Sequence, residues 1–270
     1  MIQYPTMKKP LISVVIPAYN EENYIEVCLE SVLAQDFPKN DYEVIVVDNN
    51  STDNTASLVK KRFPQVRLVN EKKQGVVFAR IKGVAEAKGE IIAFIDADSI
   101  APKNWLAKIN KGYADKRTVA VGGTLIYEPK KGFIAQTERV INFFYHLSKI
   151  PPGTNFSFKK EAYQKIGGFS QKINMNEDLY LALTLKKIGK IIILKDNPVI
   201  TSSRRLLSPH FSWFAYRSLL NTLSIYFFGK SIFFNFEAIR NNSPSVKKII
   251  NTLKGLDKQN WPFFKDNNYH

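Results

Sequence analysis

Along the first hundred positions, apolar residues come in short runs separated by polar stretches, and the runs alternate between strand and helix spacing. Leu11-Ile12-Ser13-Val14-Val15-Ile16 is a β-branched run that predicts a buried strand, stopped by Pro17, whose missing N–H interrupts a ladder. After polar Asn20-Glu21-Glu22-Asn23, the residues Tyr24, Ile25, Cys28, Leu29, Val32 and Leu33 recur at helical spacing. The unit then repeats: Glu43-Val44-Ile45-Val46-Val47 predicts a strand, residues 48–53 a loop and residues 55–62 a helix. Residues 66–69 predict a third, shorter strand, 75–87 a third helix and 90–95 a fourth strand. This alternation predicts an α/β fold with a mostly parallel central sheet and helices on both faces. Farther along, Leu179, Leu183 and Leu185 mark a helix, residues 190–194 a strand, and Asp196-Asn197-Pro198 a turn.

In such sheets ligands bind outside the carboxyl ends of the strands. The loops that begin at Pro17, Asp48 and Asp96 all lie there, so folding brings them to one rim. In the loop Asp48-Asn49-Asn50-Ser51-Thr52-Asp53-Asn54-Thr55, Ser51 or Asp53 is expected to cap the following helix. Asp96-Ala97-Asp98 closes the run Ile91-Ile92-Ala93-Phe94-Ile95, so two carboxylates emerge where a buried strand stops. A turn at Ala97 swings both toward one hard cation, and oxygen ligands suit Mg²⁺ or Mn²⁺, which complete their shells with substrate phosphates and water. A D-x-D triplet alone also arises by chance in solvated loops. No G-x-G-x-x-G or G-x-x-x-x-G-K-[ST] pattern follows any of these strands, which removes support for dinucleotide and P-loop readings.

With 270 residues the chain can bury a sizeable core, and 44% hydrophobic with 23% charged residues is ordinary for a globular protein. Its single cysteine, Cys28, lies on the apolar face of a predicted helix and reads as a buried structural thiol. The three histidines, His146, His210 and His270, have no metal-ligand spacing, which disfavours zinc. A formal charge of +15 points to an anionic partner, or to a surplus of solvated lysine. Nucleic acid is disfavoured, because Lys and Arg are spread over the whole chain rather than gathered in a stripe with aromatics. No secretory apolar segment opens the sequence, so the expected location is the cytoplasm, at the inner face of the membrane if the C-terminal segment meets lipid.

Three fragments, ISVVIPAYNEENYI, EVIVVDNNSTDNT and GEIIAFIDADS, together resemble glycosyltransferase family two, and the likeness covers roughly residues 11–205. The resemblance implies the A-type glycosyltransferase fold. It divides the chain into an extension at 1–10, a nucleotide-sugar-binding half at 11–100, an acceptor-side half at 101–205 and a C-terminal helical segment at 206–270. It also implies a nucleotide-sugar pocket lined by Pro17, Ala18, Tyr19, Glu21, Asp48, Asn49, Arg80, Asp96, Ala97 and Arg204, with Tyr19 near the base. Relatives using uridine nucleotides often carry a second acid where this chain has Asn49, so the base is left open. Asp98 would be the preferred metal ligand, Asp96 an outer partner to metal or ribose, and Ala97 a small residue that admits the substrate. Gly153-Thr154-Asn155-Phe156-Ser157-Phe158 and Gly167-Gly168-Phe169 resemble the acceptor-side segment. In Asn174-Met175-Asn176-Glu177-Asp178-Leu179, the pair Glu177-Asp178 matches the family's paired acids, with Asp178 as general base and Glu177 beside it in the catalytic set. The implied reaction is inverting, metal-dependent transfer of a sugar from a nucleotide-diphosphate donor to a glycan or lipid-linked acceptor. Nucleotidyl transfer onto a sugar phosphate, or a basic binding module without turnover, are the alternatives.

In the C-terminal third, Arg204 and Arg205 of Thr201-Ser202-Ser203-Arg204-Arg205 are suited to grip a diphosphate, or are surface charges. The aromatic stretch 211–228 is interrupted by Arg217, and its longest uncharged piece, 218–229, is below the roughly 20 residues that span a bilayer. It reads as an amphipathic helix whose aromatics meet lipid while Arg217, Lys230 and Lys247-Lys248 meet headgroups. Packing on the catalytic domain or on a second copy of the chain is the competing reading. Residues 254–270 form a polar tail expected to fray.

Overall fold

The computed structural model describes residues 10–130, 132–173 and 175–232. The expectations for the N-terminal extension, for Asn174, for Lys247-Lys248 and for the tail lie outside the described residues. In chain order the elements are β1 (Ile12–Ala18), α1 (Ile25–Leu33), β2 (Tyr42–Asp48), α2 (Thr55–Arg62), β3 (Arg67–Asn70), α3 (Val76–Glu86), β4 (Ile91–Phe94), β5 (Ser99–Ile100), α4 (Trp105–Gly112), β6 (Thr118–Glu128), α5 (Ile134–Ser148), β7 (Phe156–Lys159), α6 (Lys160–Lys165), α7 (Glu177–Lys186), β8 (Lys190–Ser202) and α8 (Phe211–Phe228).

One eight-stranded sheet has the order β3-β2-β1-β4-β7-β6-β8-β5. Its first four strands are parallel, as the repeated strand-helix units require, whereas β7 runs antiparallel to both β4 and β6, and β5 antiparallel to β8. The sheet is therefore mixed. Two apolar layers clothe it. One gathers Val14, Ile16, Cys28, Leu29, Val46 and Trp105; the other gathers Val15, Ile45, Val47, Phe94, Phe158 and Leu181. Neighbours on β1 such as Val14 and Val15 point into opposite layers, which is the period-two pattern of a strand buried on both faces. Gly83 of α3 makes close packing possible on one face: a Cβ there would lie 2.2 Å from Val15 Cγ1.

Two sequence expectations fail locally. β1 does not stop at Pro17 but continues to Ala18, pairing Pro17 with Val47 of β2. The other neighbour, β4, pairs only as far as Val15↔Phe94, and Val15 O already faces that side in accepting from Ile95 N. Alternation turns the missing Pro17 N–H to that same side, beyond the end of β4, where no ladder bond is lost. The predicted Asp196-Asn197-Pro198 turn is likewise absent. β8 runs through it as a bulge, its register with β6 jumping from Gly123↔Leu194 to Leu125↔Val199. Asn197 is fully buried in this bulge, donating from Nδ2 to Trp105 O and accepting at its backbone O from Asn155 Nδ2.

Candidate active site

Because β1, β2 and β4 are parallel, the segments after Ala18, Asp48 and Phe94 leave the same edge of the sheet. The first two are laced together by their own polar side chains. Asn20 N donates to Ser51 Oγ at 2.9 Å, Thr52 N to Asn20 Oδ1 at 2.7 Å, and Glu21 N to Thr55 Oγ1 at 2.7 Å. Asn20 and Asn50 take positive φ, a conformation that asparagine tolerates better than most residues. Asp53, not Ser51, serves the start of α2: its Oδ1 accepts from Thr55 N at 2.9 Å.

Asp48 ends β2 almost completely buried. Asn70 Nδ2 donates to its Oδ2 at 3.3 Å, while Oδ1 has no partner. A buried carboxylate oxygen left unpaired is costly unless a ligand supplies a donor. Asn49 differs from expectation. Its Nδ2 donates to Glu71 O and Lys73 O, both at 2.8 Å, and its Oδ1 accepts from Gly75 N at 2.7 Å. The amide is committed to shaping the 71–75 loop and is not free to read a base. Ala18 and Ala97 are also turned inward, their methyls packed in the same apolar layer as Ile16. The Ala97 methyl is thus buried and not at the surface of the rim. Pro17 and Tyr19 remain half-buried at the rim.

Arg80, on α3, is the hub of the site. It is 4% exposed, donates from Nη1 to Glu177 Oε1 at 2.6 Å and from Nη2 to Asp96 Oδ1 at 3.1 Å, and lies over the Phe94 ring. Burial disfavours its charge, but Glu177 and Asp96 outweigh that and raise its pKa. Glu177 is pushed up to about 7, burial raising it against the pull of Arg80. Its side chain is 8% exposed and pinned by Arg80. Glu177, expected in the catalytic set, is thus buried with its carboxylate engaged by Arg80. Asp178, next to it, is only partly buried; its Oδ2 accepts from Gly153 N and its Oδ1 from Leu179 N, each at 2.9 Å. Gly153 leaves no room for a side chain: a Cβ there would sit 2.7 Å from Arg80 Nη1 and 3.1 Å from Asp178 Oδ2.

A second arginine closes the other side. Arg204 grips both carboxylate oxygens of Glu21, at 2.9 and 2.5 Å, reaches Asp98 Oδ2 at 3.0 Å and lies over the Tyr24 ring. Burial lowers its pKa, yet Asp98 and Glu21 raise it further and win. Asp98 is raised by burial, against the pull of Arg204. The Glu21 carboxylate is therefore engaged by Arg204 and does not face a donor alone. Arg205 is not a surface charge either: its guanidinium is withdrawn over the Phe214 ring, and burial lowers its pKa. Asp96 and Asp98 offer hard anionic oxygens at one rim, the donor chemistry a small divalent cation takes. No group of three or more His, Cys, Asp or Glu able to hold a metal exists among the described residues, so such a cation would draw most of its shell from water and ligand phosphates.

Sequence reasoning missed the supports of this site. Asp96 N donates to Thr154 Oγ1 at 3.0 Å, and Thr154 Oγ1 meets Ser99 Oγ at 3.0 Å, which ties the two acids to the segment after Pro152. Asn155 accepts from Trp105 Nε1 at 2.9 Å. Asn176 enters α7 at positive φ and donates from Nδ2 to Thr222 Oγ1 of α8 at 2.8 Å. The one available signal was the placement of small polar residues inside apolar runs.

A family model described as "Glycosyl transferase family 2" matches residues 13–177. Among relatives, the dolichyl N-acetyl-alpha-D-glucosaminyl phosphate 3-beta-D-2,3-diacetamido-2,3-dideoxy-beta-D-glucuronosyltransferase of Methanococcus voltae is 28% identical over 200 residues, covering 70% of this chain and 58% of its own. The chain spans 58–61% of the length of the first curated relatives it matches. The mannosyltransferase PcManGT of Pyrobaculum calidifontis, solved with GDP-Man and Mn²⁺, is 27% identical, with a TM-score of 0.64 over 80% of this chain and 62% of that one. Staphylococcus aureus TarS 1-349, solved with UDP-GlcNAc, shares the fold at 20% identity and a TM-score of 0.60, over 95% of this chain and 76% of that one. With a model match spanning more than half its residues and a sheet of the same architecture, the chain belongs to glycosyltransferase family 2.

Proposed function

We propose that the chain transfers a sugar from a nucleoside-diphosphate donor to an acceptor hydroxyl with inversion at the anomeric carbon, Asp178 acting as base. The observation that carries this reading is the hub at Arg80. Through it, carboxylates from the end of β4 and the start of α7, far apart in sequence, share one buried guanidinium beside Asp178. The two halves of a bimolecular site, one for donor phosphates and one for a hydroxyl to be deprotonated, are thereby held in fixed relation. Asp178 is the one acid of the Glu177-Asp178 pair left partly accessible, and a base needs hydrogen-bond reach to the attacking hydroxyl. Its contact with Gly153 N orients one oxygen.

On the donor side, Pro17, Tyr19 and Asp48 form the nucleoside end, where the unpartnered Oδ1 of Asp48 awaits an N–H. Asp98, with Asp96 outside it, would hold Mg²⁺ or Mn²⁺, which offsets charge on a departing diphosphate. Arg204, held by Glu21 and freed from Asp98, would turn an Nη2 N–H to the same phosphates. The PcManGT complex with GDP-Man and Mn²⁺ supports this division, and the M. voltae relative supports a glycan or lipid-linked acceptor. Such acceptors belong to cell-envelope polysaccharide or glycan assembly.

The test is a thermal-unfolding screen of nucleoside diphosphates and their sugars with Mn²⁺ or Mg²⁺, followed by donor turnover. A ligand at a hundred times its Kd stabilises the native state by about 2.7 kcal/mol. Asp178→Asn is expected to retain that stabilisation and to lose about 10²–10⁴ in kcat. Failure of every nucleoside diphosphate to stabilise the protein, or full turnover by Asp178→Asn, overturns the reading.

A further inference from the structure

Helix α8 has two unlike sides. Toward α7, Asn221 Nδ2 donates to Met175 O at 2.7 Å, Asn176 Nδ2 donates to Thr222 Oγ1 and Ser218 Oγ, and Ile225 packs with Ile173 and Leu179. The other side carries Trp213, Tyr216, Leu219, Tyr226 and Phe227, each 52–70% exposed. Isolated exposed apolar residues need no explanation, but a stripe of large aromatics along one helix does. A second exposed apolar side begins beside the start of α8: Phe133, just before α5, is exposed and its ring centroid lies 6.4 Å from that of Phe211. Val140, Phe143, Phe144 and Leu147 continue that exposed apolar side along α5.

Charge decides what covers this face. Residues 206–232 contain no Asp or Glu, carry Arg217 and Lys230, and belong to a chain of formal charge +15. A second copy would bring the same positive charge to the contact, whereas an anionic surface complements it. Trp and Tyr pair an apolar ring with a polar edge, the chemistry favoured where hydrocarbon meets headgroups. None of the described helices is long and apolar enough to cross a membrane, so such a helix lies in the interface plane.

We infer that the aromatic face of α8 docks on an anionic lipid bilayer. Its other face holds Asn176, two residues before Asp178, so docking turns the acceptor side of the site toward the lipid surface. That orientation rests on Asp178 being the base; the docking itself does not.

The experiment is co-sedimentation of the full chain with vesicles of phosphatidylcholine alone or mixed with phosphatidylglycerol, at low and high salt. The chain is expected to pellet with the mixed vesicles, to partition at least about tenfold less onto neutral ones, and to be released by salt as exposed charge pairs are screened. Trp213→Ser/Tyr226→Ser/Phe227→Ser removes rings that are more than half exposed, so its thermal midpoint should match the parent while vesicle binding falls about tenfold or more. Three results overturn the inference: no pelleting with anionic vesicles, equal binding by the triple variant, or sedimentation velocity showing self-association that the triple variant loses in place of vesicle binding. None of them depends on donor turnover, so docking and sugar transfer fail separately.

Discussion

Arg80→Met tests the hub most directly. The guanidinium is 4% exposed and compensates Glu177, 8% exposed, at 2.6 Å. Removing one partner of a buried pair strands the other charge and costs about 3–5 kcal/mol, a large share of the roughly 5–15 kcal/mol that holds a typical domain together. The stranded group is an acid, so the loss depends on pH. In the parent, Glu177 titrates near about 7 against an ordinary 4.5, so between those values the folded chain keeps a proton that the unfolded chain has given up. Stability from this group therefore falls as pH rises through that window, by on the order of 3 kcal/mol. Without Arg80 the folded pKa climbs further and the fall continues to higher pH. Urea unfolding at pH 5 and pH 8 of the parent, Arg80→Met, Glu177→Gln and the double variant separates the terms. Arg80→Met should lose less at pH 5, where chiefly its bond to Asp96 is forfeited, than at pH 8, and Glu177→Gln should flatten that dependence. The double variant should recover most of the loss. Equal destabilisation by Arg80→Met at both pH values, or additive losses in the double variant, would refute the coupling.

Other perturbations probe separate parts of the molecule. Gly153→Ala places a methyl 2.7 Å from Arg80 Nη1, and because Arg80 is pinned from two sides the strain should cost about 1–3 kcal/mol and lower donor turnover, read by urea melts and a coupled assay. Gly83→Ala drives a methyl to 2.2 Å from Val15 Cγ1; a similar loss of stability is expected, with donor affinity kept in whatever fraction remains folded. Asp48→Asn replaces the unpartnered Oδ1 by a group that no longer attracts an N–H donor as a charge does, so calorimetry should show about tenfold weaker nucleoside-diphosphate binding while the ligand-free protein melts no earlier.

The parallel half of the sheet was readable because both faces of its strands are covered, so Val14-Val15-Ile16 and Val44 to Val47 are apolar without interruption. The second half was not. β6 includes Gly122 and Gly123, which pack against Pro151 and Asn155, and β8 carries a bulge whose Asp-Asn-Pro sequence imitates a turn. In both places a tertiary partner makes an unpromising local sequence extended. The site divides the same way. Which loops leave the same edge follows from strand order, and Arg80, Asp96, Asp98 and Asp178 lie within electrostatic reach of one another. What each side chain does there depends on partners that the sequence leaves unpaired: Asn49 faces the backbone of residues 71–75, Glu21 faces Arg204, and Glu177 faces Arg80.

Those pairings also explain why the site needs two arginines. Asp96, Asp98, Glu177 and Asp178 converge on one rim, and four carboxylates without cations would repel one another in a poorly solvated pocket. Arg80 of α3 sits beneath them, buried over the Phe94 ring of β4, so its charge is a fixed part of the fold. Arg204 sits at the edge and neutralises the same rim through Glu21 and Asp98, the acid best suited to a metal. In the proposed reaction a cation held there would duplicate that charge, leaving an Arg204 N–H for the phosphates. On this argument an Arg204→Lys variant, which keeps one positive charge but loses the fork, retains the fold and loses donor affinity more than stability. A melt lowered by about 1.5 kcal/mol, for the one bond to buried Glu21 that lysine cannot make, together with nucleotide-sugar binding weakened well beyond about tenfold is the expected result. A collapse of stability without loss of affinity would make Arg204 a structural clamp on Glu21 alone.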